Sequence, residues 1–195
     1  GFKGGVGYGY SKNSISLFRQ KVMADNPSLT PHQIKPQGSG WDEWRRSQVT
    51  TLVFEVKEMM NEIAPEKELS AAVLAWPDRA YLSSFQDWRA WLSAGIIDTA
   101  VPMAYTSDNK HFRQLSKQAA AFREEGGGQV LMGLGAWLML NKQNRIVTQS
   151  KAAMNAGNDG IVLFSYSNLL SPKGEKLVRQ LSKSGFLPVQ HARKN

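Results

Sequence analysis

Cysteine is absent from this 195-residue chain, which excludes disulfides, thiol nucleophiles and cysteine-ligated zinc or iron–sulfur centres. Histidine is nearly as scarce. His32, His111 and His191 stand far apart with no ligand-like spacing, so neither a metal nor another cofactor is expected. Acidic residues are outnumbered, 16 Asp and Glu against 24 Lys and Arg, for a formal net charge of +8. That excess favours anionic partners or surfaces and says nothing about fold. Long apolar runs are missing too: the longest, Val130 to Leu140, is broken by Gly133 and Gly135 and is too short to span a bilayer. No transmembrane segment is therefore expected. No stretch of these residues reads as a signal peptide, and because the chain opens on Gly1 rather than Met, it reads as a processed product or a piece of a longer protein whose address label is not in this sequence.

What remains is an ordinary globular composition, 42% hydrophobic and 21% charged, in a length that suits one domain with a real core. Residues 1–40 read as a loop-rich segment. Gly1, Gly4, Gly5, Gly7 and Gly9 interleave with Phe2, Tyr8 and Tyr10. A short helical pattern follows at Ile15, Phe18 and Val22, with Ser14 as a candidate N-cap and Asn26-Pro27 as a stop. Pro31, Pro36, Gly38 and Gly40 then mark an irregular linker. The clearest helix begins near Trp41 and ends at Pro65, with Val49, Leu52, Val53, Val56, Met60 and Ile63 forming one apolar face.

From there the pattern changes. Strand-type apolar segments start near Leu69, Ile97, Gln129 and Ile161, separated by 28, 32 and 32 residues. This is the pitch of a βα unit, about 30 residues. Amphipathic stretches alternate with them, carrying Phe85/Trp88/Leu92, Phe112/Leu115/Ala119/Phe122, Ile146/Ser150/Met154 and, after the last strand, Leu177/Val178/Leu181. Such alternation predicts parallel strands joined by right-handed crossovers. The near-continuous apolar runs 71–75 and 160–164 are those of strands covered on both faces. Four βα units fit either an open sheet or half of an eight-stranded barrel.

The strand endings favour the barrel. Each of the four segments finishes on an aromatic residue, Trp76, Tyr105, Trp137 and Tyr166. In a parallel α/β fold those ends share one side, so the rings would line a common mouth, with Met103 packing beneath them. Flat rings with polar tips suit sugars, whose ring faces are apolar and whose rims carry hydroxyls. The competing expectation is that the rings merely cap a barrel core.

Carboxylates sort by strand end. Asp98 and Asp159 precede the second and fourth strands and read as structural. Asp78 follows the first strand in Trp76-Pro77-Asp78-Arg79, beside a cation that would keep it ionised. This makes it the in-chain candidate for a nucleophile or base, with Arg79 as its modulator; the alternative is a solvated turn aspartate. Asp108 also reads as a helix N-cap, and Asp87 as part of a capping box with Ser84. Glycoside hydrolysis usually uses two carboxyl groups, and no second one is convincing here. Glu124 and Glu125 end a helix, and Glu66 and Glu68 precede the first strand.

Other anion chemistries fit poorly. Gly4-Gly5-Val6-Gly7 matches neither phosphate-loop motif, and Gly133-Leu134-Gly135 lies within a strand. The basic residues are scattered, and the tail from Lys173 to Lys194 holds six against Glu175 alone. A solvated basic surface is expected rather than a nucleic-acid partner.

The run Trp41-Asp42-Glu43-Trp44-Arg45-Arg46-Ser47-Gln48-Val49 resembles the "W..WRR..V" helix of the glycosyl-hydrolase-like family 10. Further similarities follow in order: Ser70-Ala71-Ala72-Val73, then Phe85-Gln86-Asp87-Trp88 with Trp91-Leu92, then Asp98 with Val101-Pro102-Met103-Ala104-Tyr105, and finally residues 160–166. Tyr8-Gly9-Tyr10-Ser11 with Phe18-Arg19 is similar to the segment after the family's fourth strand. The resemblance implies a TIM (β/α)8-type barrel of which this chain is the C-terminal half. Residues 1–40 would then belong to the barrel's middle connection, 41–187 to its last four βα units, and 188–195 to a basic tail. The family's acidic "D-Y-x-R-Y-P" strand would lie immediately upstream of Gly1 and supply the missing carboxylate. The resemblance further implies a glycan-acting, extracytoplasmic protein.

Two functional readings result: hydrolysis of a cell-envelope or extracellular polysaccharide or oligosaccharide, or a non-catalytic carbohydrate-binding scaffold. A half barrel would expose two strand edges and an apolar inner face, inviting pairing with another copy or with the missing half.

Overall fold

A computed structural model describes residues 9–186. The sequence features at Gly1 to Tyr8, His191 and the tail 188–195 lie outside the described residues. The described residues divide into two compact units, one comprising residues 9–67 and 77–88, the other 68–76 and 89–186.

The first unit is helical. Helix α1 spans Lys12–Asp25. Its N-cap is Ser11, not Ser14: the Ser11 hydroxyl accepts the Ser14 backbone N–H at 3.1 Å. The cap falls three residues earlier than expected because the polar Lys12 and Asn13 extend the helix beyond its apolar pattern. Helix α2 spans Gly38–Ile63, starting before Trp41. Phe18, Ile34 and Trp41 form this unit's core, with Ile15, Val22, Met23, Leu29 and Trp44 packed against it. The "W..WRR" run builds that core. The Trp41 and Trp44 rings stack at 5.0 Å, and Phe18 meets Trp41 edge-on at 4.9 Å. Arg45 is buried, ion-paired to Asp42, with its guanidinium over the rings of Phe85 (4.3 Å), Tyr10 (5.2 Å) and Trp41 (5.4 Å). The next residue, Arg46, lies over the Tyr81 ring at 3.5 Å.

The expected apolar face of α2 has the right period but not the expected burial. Leu52 is 61% and Ile63 73% exposed, and Val49, Val53, Val56 and Met60 are half-buried. Periodicity identifies the helix correctly, yet only its first two turns reach the core, through Trp41 and Arg45.

The region after the first strand also differs from expectation. A separate helix, α3, spans Pro77–Ser83. Phe85 is not helical but sits at φ 56, a conformation costly for a bulky residue. Its ring packs on Arg45, which offsets the strain. The capping box does not form, because the Ser84 hydroxyl is buried with no hydrogen-bond partner. Helix α4 begins only at Trp88 and ends at Ser93.

The second unit carries β1 (Ser70–Leu74), β2 (Thr99–Met103), β3 (Gln129–Gly135) and β4 (Gly160–Phe164). They form one parallel sheet in the order β1-β2-β3-β4, with β1 and β4 at its edges among the described residues. The connections hold α5 (Asn109–Gly126), a single 3-10 turn (Ala136–Leu138) and α6 (Gln143–Asn155); α7 (Tyr166–Leu169) and α8 (Pro172–Lys183) follow β4. Strand starts lie within two residues of expectation. The open four-stranded sheet is what these residues make of the expected half barrel.

Side chains alternate across the sheet. Val73, Ala100, Val130, Met132 and Leu134 are buried on the side covered by α5 and α6, whose Phe112, Leu115, Ala119, Ile146 and Ala153 are also buried. Ile146 and Ser150 are buried as expected of α6, but Met154 is exposed, and Gln149 takes a core position. Gln149 can do so because its amide donates to the Thr106 carbonyl at 2.9 Å. On the opposite side of the sheet, Leu74, Met103, Leu131, Val162 and Phe164 are only half-buried.

Asp98 and Asp159 brace the starts of strands. Asp98 Oδ2 accepts the Leu69 N–H at 2.7 Å, and Asp159 Oδ2 accepts the Val130 N–H at 2.9 Å, each partner lying 29 residues earlier. One βα unit thus pins the strand of the unit before it.

Candidate functional site

Each sequence-identified ring lies two residues past the end of its strand, where the chain turns into a βα loop. The register places Leu74, Met103, Gly133 and Val162 in one row across the sheet. Met103 ends its strand two residues before Tyr105. The following row pairs Gly135 with Phe164.

At this end of the sheet, three rings meet. Tyr105 and Trp137 pack edge-to-face at 4.6 Å, and Tyr105 and Phe164 do so at 5.4 Å. Two glycines provide their space. A Cβ on Gly133 would stand 3.1 Å from Phe164 Cε2, and one on Gly135 would stand 3.3 Å from Trp137 Cη2 and 3.4 Å from Tyr105 Cδ1. The cluster is wedged yet open, with Trp137 39% exposed. Burial raises the Tyr105 phenol above its ordinary value of 10.0, so it remains a neutral hydrogen-bonding group.

The other two rings have different surroundings. Trp76 packs against the His111 imidazole at 5.2 Å. Tyr166 opens α7 and is 74% exposed, with no ring partner among the described residues. Near it, the Ser165 hydroxyl accepts the Asn168 amide at 2.8 Å and lies 3.0 Å from the Ser167 hydroxyl. Sequence reasoning missed Phe164 and His111. Phe164 ends an apolar run and by sequence looks like one more buried strand residue, whereas Tyr166 carries the polar tip. The glycines facing it were the available signal, since small residues in register with a bulky ring leave that ring room to lie flat.

Asp78 and Arg79 belong to the first unit, in the opening turn of α3. The rings belong to the second. Asp108 is occupied as the N-cap of α5: it accepts the backbone N–H groups of Lys110 at 2.7 Å and His111 at 3.1 Å. Those of His111 and Lys110 hold its carboxyl below the ordinary value of 3.8. Among the described residues, no three or more His, Asp or Glu side chains gather as they would around a metal ion, and no helix is long and apolar enough to cross a membrane.

A family model described as glycosyl hydrolase-like 10 matches residues 4–151. That span takes in β1 to β3, the Tyr105–Trp137 pair, Asp78 and most of α6, while β4 lies beyond it. No curated protein matches the chain.

Proposed function

The chain belongs to the glycosyl hydrolase-like 10 family, and from that premise we propose that it binds a cell-envelope or extracellular polysaccharide across the rings at the ends of its strands. The observation that supports this most directly is the Tyr105–Trp137 pair, fixed edge-to-face with Trp137 open to solvent. An exposed indole held rigid by a neighbouring ring offers an apolar platform for a sugar face at little entropic cost. The Tyr105 phenol supplies a neutral polar tip for a hydroxyl. Trp76 and Tyr166 extend the platform as outlying subsites, with Met103 below.

The parallel sheet is read as half of an eight-stranded barrel, whose remaining strands would pair with the edges of β1 and β4. Asp78, in the first unit, is the carboxylate we assign to hydrolysis, with Arg79 next to it in the opening turn of α3. Its partner would come from sequence outside these residues, because Asp108 is committed to capping α5. A second reading, binding without cleavage, draws on that same commitment: at the ring-bearing end of the second unit the loops carry no other carboxylate.

Calorimetric titration against a panel of neutral oligosaccharides tests the proposal. Trp137→Ala is expected to weaken binding about tenfold. Asp78→Asn is expected to leave binding intact and to abolish release of reducing ends wherever the wild type shows it. Binding unaffected by Trp137→Ala, or no binding to any glycan, overturns the reading. Binding without cleavage selects the scaffold.

A further inference from the structure

Helices α5 and α6 lie side by side, their N-terminal ends tied by the Arg145 guanidinium, which donates to the Ser107 carbonyl at 2.5 Å. Between them runs a shallow groove of about 330 Å³ whose charged residues are Arg113, Lys117 and Lys151. Arg113 and Lys117 stand four residues apart on α5, about 6 Å along the axis, and Lys151 faces them from α6. All three are exposed, and none has an ion-pair partner among the described residues. No carboxylate lines the groove. Thr148 and Asn155 add polar groups to the walls, and Ala152 and Ala156 leave the floor apolar.

Three unneutralised cations along one groove attract a flexible chain bearing repeated negative charges. The lining also discriminates among such chains. It contains no aromatic ring, which a single-stranded nucleic acid would use for base stacking. It also has no Leu, Phe or Trp that could enter a lipid surface. Its polar walls and small apolar floor suit hydroxylated rings that carry carboxylates.

We infer that the α5–α6 groove is a second glycan-binding site, specific for an acidic, uronate-type polysaccharide and separate from the ring platform. The anionic character of the ligand rests on the groove alone; its being a polysaccharide rests on the function proposed above.

The test uses the full chain at physiological salt with polygalacturonate, neutral dextran, a short DNA duplex and anionic phospholipid vesicles as probes. The variant R113E/K117E/K151E is compared with K173E/K176E/K183E, which changes net charge equally on α8. Polygalacturonate affinity is expected to fall tenfold or more, roughly, in the groove variant, with a salt dependence shallower by about two on a log–log plot, and to fall only slightly in the control. Equal loss in both variants makes the effect one of net charge and overturns the inference. So does tighter binding of the duplex or the vesicles than of polygalacturonate. Neutral-glycan binding that is sensitive to Trp137→Ala, with no polygalacturonate binding, overturns the groove and leaves the ring platform standing. Groove-dependent polygalacturonate binding without neutral-glycan binding does the reverse.

Discussion

Phe164 lays its ring where Gly133 has no side chain: a Cβ there would come within 3.1 Å of Phe164 Cε2 and equally close to the backbone carbonyl of Pro102. The first contact could relax by a small rotation of the ring. The second is against a strand that cannot move without breaking its register. The glycine therefore fixes both the strand spacing and the tilt of the ring that supports Tyr105.

Gly133→Ala should accordingly destabilise the second unit by roughly 1–3 kcal/mol through overpacking. It should also alter the tryptophan fluorescence by disturbing Trp137. Thermal unfolding and emission spectra check this, and an unchanged Tm with an unchanged spectrum would show that the site has slack.

Arg45 poses a different problem, a buried cation among rings with the Asp42 carboxylate beside it. Arg45→Met keeps the volume but loses the ion pair and the cation–π contacts, and removes the packing that offsets the positive φ of Phe85. A loss of roughly 2–4 kcal/mol is expected. Arg46→Ala, on the exposed Tyr81 contact, should cost less than about 1 kcal/mol. Chemical denaturation of the two variants separates them.

Asp159 holds two partners at once, the Val130 N–H at 2.9 Å and the Arg123 guanidinium at 2.7 Å. Asp159→Ala should cost roughly 2–3 kcal/mol and expose the Val130 amide to faster hydrogen exchange. Asp98→Ala should do the same at Leu69. Uniform acceleration across the whole sheet would instead indicate general unfolding rather than a local clasp.

Two groups predict opposite pH behaviour. The Asp108 carboxyl, held below 3.8 by backbone N–H groups, stabilises the fold above that ordinary value; the contribution is lost as pH falls through its lowered native value. The stability gap between wild type and Asp108→Ala should therefore be open at neutral pH and close in acid. The Tyr105 phenol, raised above 10.0 by burial, contributes stability below that value and loses it as pH rises through its native value, because the unfolded chain releases that proton first. Ultraviolet titration should show one late-ionising tyrosine that disappears in Tyr105→Phe.

The alternation of strands and helices was legible in the chain because each element carries its own period, and the pitch between strands is a property of contour length. Asp108 could be read as a cap because its partners, the N–H groups of Lys110 and His111, are its immediate neighbours. The "W..WRR" run could be picked out but not explained, since the rings around Arg45 come from Tyr10, Trp41 and Phe85, which are widely separated in sequence.

The four aromatic endings illustrate the limit most clearly. Their common offset from the strand ends is a matter of local sequence, and it was visible. Which ring touches which was not, because partnership depends on register and on the space left by neighbours in other strands. Gly133 and Gly135 opened room for Phe164, Tyr105 and Trp137 to converge, whereas Trp76 met a histidine from the first turn of α5. Local sequence fixed the elements and the residues at their ends; packing between segments some thirty residues apart decided which of those residues form a surface together.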